Sequence, residues 1–157
     1  MEYCTGGSVK SKLVAKWTND NVLDLPEETV APLMANVAEA FIYLHETQGL
    51  VHRDLKAENV VEDASRLAKV CDFGQSFYLQ DGLETVTWDS TGYQPPEVLQ
   101  NAEYGEKIDV YTFDVMVHCL LLGTTTKHKD IESLNLGDMT EPAKTIETFV
   151  RRIPWRR

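Results

Sequence analysis

The stretch VHRDLKAENVV, residues 51–61, decides how this chain is read. It sets His52, Arg53, Asp54, Lys56, Glu58 and Asn59 between short runs of valine and leucine. A solvated surface loop would account for the charges alone, since Lys, Glu, Arg and Asp rarely leave water unless they are paired. A carboxylate and an amide five residues apart on a tight loop, Asp54 and Asn59, can also face one site. The rest of the chain must choose between these two readings.

Composition sets the outer limits. With 157 residues, 43% hydrophobic and 25% charged, the chain suits one ordered globular domain with one core. A net charge of −10 argues against a nucleic-acid partner, because phosphate backbones are met by clustered lysine and arginine. The basic cluster that does exist, Arg151, Arg152, Arg156 and Arg157, is terminal. Cys4, Cys71 and Cys119 are far apart and form no CxxC pair, so neither a disulfide framework nor a zinc site is suggested. No apolar run approaches the ~20 residues of a membrane span, and MEYCTGG, residues 1–7, lacks the regions of a signal peptide. These features predict a reducing, cytoplasmic setting, with the nucleus as the alternative, and no membrane partner.

Periodicity and breakers give the organisation. Val9, Leu13 and Trp17 lie four apart and predict a helix over 8–17. Val30, Leu33, Met34, Val37, Phe41 and Leu44 predict a stronger one, with Thr29 as its cap and Pro32 in the first turn. After Gly49 come short β-prone pieces at 50–51, 60–62 and 67–71, then a loop over 75–95. A short helix follows Pro95-Pro96 at 97–100. DVYTFDVMVHCLLLG, residues 109–123, is apolar on most faces and predicts a buried helix at the centre of the fold.

The opening stretch now has context. HRDL and Asn59 are followed by DFG at 72–74, YQPPE at 93–97 and DVYTF at 109–113. In order and spacing these resemble the catalytic loop, magnesium motif, end of the activation segment and central helix of eukaryotic protein kinases. The resemblance runs from Met1 to about Gly123. It implies a fold that is mainly α with short β-hairpins, a protein kinase-like C-lobe whose N-terminal β lobe is absent. The implied parts are a hinge at 1–7, a catalytic loop at 52–59, an activation segment at 72–97, a central helix at about 109–122 and an incomplete helical part at 124–157.

The chemistry of that family needs an oriented hydroxyl, neutralised phosphate charge and hard oxygen ligands. By resemblance, Asp54 accepts or orients the hydroxyl proton, Lys56 stabilises the transferring phosphate, and Asn59 and Asp72 hold Mg²⁺. Glu2, Cys4, Val9, Glu58, Val61, Cys71 and Asp72 are implied to meet ATP, and Ser90 and Glu58 the protein substrate. His52 and Phe73 are implied to pack beneath the loop, and Asp109 to accept its N–H groups. Lys56 and Ser90 point to serine/threonine specificity. Arg53 is implied to receive a phosphate on Thr85 or Thr87.

Departures matter too. Asp89 and Asp114 stand where the family has glycine, and a buried carboxylate at 114 is costly unless paired. No glycines stand at i, i+2 and i+5, and LVAK at 13–16 follows the hinge instead of preceding it. No arginine in a recognisable motif follows to pair with Glu97. The expectation is therefore a fragment inactive by itself, with an apolar patch including Val61 and Phe73 facing a missing N-lobe or another partner. The competing reading is a non-catalytic scaffold. A hydrolase using Asp54 and His52 lacks a nucleophile elbow or oxyanion site.

Overall fold

A computed structural model describes residues 3–16, 27–84 and 94–122. Helix α1 (Val9–Lys16) begins at Ser8, whose hydroxyl oxygen accepts the Ser11 N–H at 3.1 Å, an N-cap that satisfies one orphan donor. Helix α2 (Glu27–Ile42) buries Val30, Met34, Ala35, Val37 and Phe41. It starts two residues before the expected cap, Thr29, so Pro32 lies inside it. The cost is contained because Pro32 is exposed and the carbonyl it leaves unpaired, on exposed Glu28, can bind water. Glu27 and Glu28 also suit the positive end of the helix.

The chain continues as a π-helical turn, Tyr43–Gln48, and stops at Gly49. Gly49 has φ +59 and donates its N–H to the Leu44 carbonyl, a left-handed cap that L side chains rarely adopt. Strand β1 (Leu50–Val51) follows, then the hairpin of β2 (Val60–Glu62) and β3 (Ala68–Val70), with Val61 opposite Lys69. Strand β4 (Phe77–Tyr78) pairs antiparallel with β1, Val51 opposite Phe77. The sequence predicts a loop over 75–95 that includes 77–78, because two residues carry no usable alternation. Their pairing is long-range, so the second sheet is not a hairpin. The two ladders hold the loops 52–59 and 71–76 side by side, and Cys71 N–H donates to Asn59 O at 2.9 Å.

The segment before α1 docks on the same hairpin. Gly6 N–H donates to Glu62 O at 2.9 Å, and a Cβ at Gly6 would stand 2.7 Å from that oxygen, so only glycine fits. Helix α3 (Pro96–Leu99) is one turn. Helix α4 (Lys107–Leu122) is central as expected. Phe113, Val115, Met116, Val117 and Leu120 join one core cluster with α2, and Ile108 joins a second with Val51, Phe77, Val98 and Tyr104. Among the described residues no helix is long and apolar enough to cross a membrane.

Asp114 is 1% exposed on α4, with Oδ1 3.6 Å from His118 Nδ1 and, among the described residues, no hydrogen-bond partner for Oδ2. Burial pushes its carboxyl above the usual carboxylate range, and His118 only partly opposes this. The native state therefore binds this proton more tightly than the unfolded chain does. Its favourable contribution is complete below the unfolded value of 3.8 and is lost as pH rises through the folded one. We expect Asp114→Asn to remove that slope and raise stability at neutral pH, measured by urea unfolding between pH 4 and 8. An unchanged slope would show that the carboxylate finds water or a cation.

Candidate active site

The site is built on one buried carboxylate. Asp109, fully buried near the start of α4, accepts the N–H of His52 at Oδ2 and of Arg53 at Oδ1, each at 2.8 Å. Two successive N–H groups converging on one anion form a backbone nest. Arg53 has φ +70, a left-handed conformation that is strained for arginine. His45 completes the anchor with Nε2 2.8 Å from Asp109 Oδ2. Nothing local in the sequence links positions 45 and 109. The π-helical turn carries it there, and such turns often mark functional sites.

Above this anchor the expected catalytic residues meet. Lys56 Nζ lies 2.6 Å from Asp54 Oδ2, and Asn59 Nδ2 donates to the same oxygen at 3.0 Å and to Asp54 O at 2.9 Å. His52 is fully buried, and both ring nitrogens are engaged. Nδ1 accepts the Asp54 N–H at 3.3 Å, which assigns the ring proton to Nε2, 3.1 Å from Cys71 O. It is a strut between the two loops rather than a base. Phe73 meets the His52 ring edge-on at 5.0 Å, and 46% of it is exposed, less enclosed than packing beneath the loop implies but open as the expected apolar patch requires.

Asp72 is exposed at φ +65, with Gly74 N–H donating to Oδ1 at 3.3 Å. Asn59 uses its amide N–H groups on Asp54, which leaves the amide oxygen as its hard donor. An amide oxygen and an exposed carboxylate on adjoining loops fit Mg²⁺, which takes few protein ligands and completes its shell with water and phosphate oxygens. Burial pushes the Cys71 thiol up, and nearby Asp72 and Cys4 act in the same direction, so it remains a thiol. Val61 is half-buried and bridges Ser8. Val9 corrects the sequence reading. It is 2% exposed in the core beside Leu13, Val30, Leu33 and Leu120, so it does not line an open nucleotide floor.

Glu58, expected at the nucleotide and substrate, pairs with Lys10 at 2.6 Å. Arg53 donates to Tyr104 Oη at 3.2 Å and Gln75 Oε1 at 3.3 Å, lies 4.0 Å from Glu84 and sits over the Phe77 ring. Residues 84 and 104 are themselves bridged through their backbones. Glu2, Thr85, Thr87 and Ser90 lie outside the described residues, as do the parts of the hinge at 1–2, of the activation segment at 85–93 and of the chain beyond 122.

The family model described as protein kinase domain matches residues 1–154. Calcium/calmodulin-dependent protein kinase type 1 of Caenorhabditis briggsae is 35% identical over 78% of this chain and 33% of its own length. Calcium-dependent protein kinase 27 of Arabidopsis thaliana is 32% identical over 99% of this chain and 31% of its own. Sporulation-specific protein 1 of Saccharomyces cerevisiae is 36% identical over 78% of this chain and 25% of its own. The chain thus spans at most about a third of the length of these relatives.

Proposed function

Because the chain belongs to the protein kinase family, on its serine/threonine side, we propose that Asp54, Lys56 and Asn59 carry transfer of the γ-phosphoryl group of ATP to a serine or threonine hydroxyl of a protein. The observation that supports this most is the convergence of Lys56 and Asn59 on Asp54 Oδ2. A carboxylate held this way can orient a hydroxyl and take its proton. The Lys56 ammonium, 2.6 Å away, supplies a fixed positive charge where the transferring group's oxygens would gather. Bound Mg²⁺, on Asn59 and Asp72, would neutralise phosphate charge.

We read the described helices and hairpin as the helical lobe of such a domain. The triphosphate would then be closed in from above by a β lobe or another partner, against which Val61 and Phe73 would pack. Thr85 or Thr87, once phosphorylated, would place an anion beside Arg53, where Glu84 already lies. In the protein that carries this chain, γ-labelled ATP should label peptides bearing a single serine or threonine and spare those bearing tyrosine. Removing divalent metal with EDTA should reduce labelling to background. Labelling confined to tyrosine, or undiminished by EDTA, would overturn the reading.

A further inference from the structure

We propose that Lys10 sets the substrate specificity of this site by masking Glu58, so that it takes peptides with uncharged residues, rather than arginine or lysine, beside the phosphoacceptor. The inference rests on the phosphotransfer reading. Glu58 lies between Lys56 and Asn59, the two residues that grip Asp54. On that reading a peptide hydroxyl at Asp54 would bring its flanking residues close to this loop, where the Glu58 side chain is 39% exposed. An unpaired carboxylate at that place would attract a basic substrate side chain. Here Lys10 Nζ is already 2.6 Å from Glu58 Oε1.

The pairing is built into the fold. Lys10 N–H donates to Ala57 O at 2.9 Å, which pins the start of α1 to the residue before Glu58. The Ser8 cap and the Ser8–Val61 bridge fix the same turn from its other side. With its backbone held at both ends, the lysine loses less freedom on pairing than one on a mobile loop would. Lys12 repeats the arrangement one step along α1, with Nζ 2.5 Å from Glu62 Oε2. The helix therefore places one cation on Glu58, ahead of the β2–β3 hairpin, and one on Glu62 within it. A substrate arginine would have to displace Lys10 and gain only the difference between two ion pairs.

Binding tests this without turnover. Labelled peptides with alanine in place of the phosphoacceptor, and arginine or alanine at each flanking position in turn, are titrated against the protein that carries this chain by fluorescence anisotropy. The parent chain should favour arginine by less than about 1.5-fold at every position, whereas Lys10→Ala and Lys10→Gln should each favour it about threefold at one position, the scale of an exposed ion pair. Adding Glu58→Gln should restore the parent ratio, and about 1 M salt should abolish the preference. The proposal is overturned by a parent preference as large as that of the variants, by an unchanged ratio in both, or by no measurable binding of any peptide. Phosphotransfer is assayed separately, so loss of catalysis and loss of masking are distinguished.

Discussion

On the proposed phosphotransfer reading, Asp54→Asn should lower the rate of peptide phosphorylation by about 10²- to 10⁴-fold, the range that a positioned acid or base contributes. An amide cannot take the hydroxyl proton. Nor can it attract Lys56, which now stands 2.6 Å from the carboxylate, so the positive charge loses its anchor beside the transferring group. The fold should survive. Asn59 still has the Asp54 carbonyl at 2.9 Å, and the loop is held through Asp109 and His52, not through the Asp54 side chain. Turnover is measured with labelled ATP in the protein that carries this chain, beside a circular dichroism spectrum of the variant. A rate within threefold of the parent, with the fold intact, would remove Asp54 from the chemistry.

Asp109→Ala should be the most destabilising single change in the site. It strands the N–H groups of His52 and Arg53, and with them the ring of His45, in a region where the lost carboxylate was fully buried. Each unsatisfied buried donor costs about 1–3 kcal/mol, so the two backbone groups alone predict about 2–6 kcal/mol. That is a large share of the roughly 5–15 kcal/mol available to a domain. Arg53, strained at φ +70, would then be free to relax, carrying Asp54 away from Lys56. Asp109→Asn keeps one acceptor oxygen but turns an N–H₂ toward donors, and should fall between parent and alanine variant. Urea unfolding measures both, and a loss below about 1 kcal/mol for alanine would mean that the nest does not hold the loop.

Much of this was legible in the residues alone. Four motifs in order gave the family, apolar spacing gave α1 and α2, a run apolar on most faces gave α4, and β-prone runs bounded by polar loops gave β1 to β3. Asp109 as the acceptor for the loop's N–H groups was also expected, and the structure bears it out. Helix periodicity and loop motifs are properties of near neighbours in the chain, so the sequence carries them directly.

What it could not carry were pairings between distant positions. His45 reaches Asp109, Lys10 reaches Glu58, and Phe77 finds Val51, each across 26 residues or more. No short pattern marks either partner, because each pairing exists only once other elements have packed. Val9 shows the same limit. The resemblance implied a place at the nucleotide, whereas Val9 is buried in one core cluster with Val30 and Leu120. Residue type and local spacing narrowed the candidates for the proposed chemistry to a few groups. Tertiary structure decided which of them are held, masked or buried, because ion pairs and hydrogen bonds act over a few ångströms in space whatever their separation along the chain.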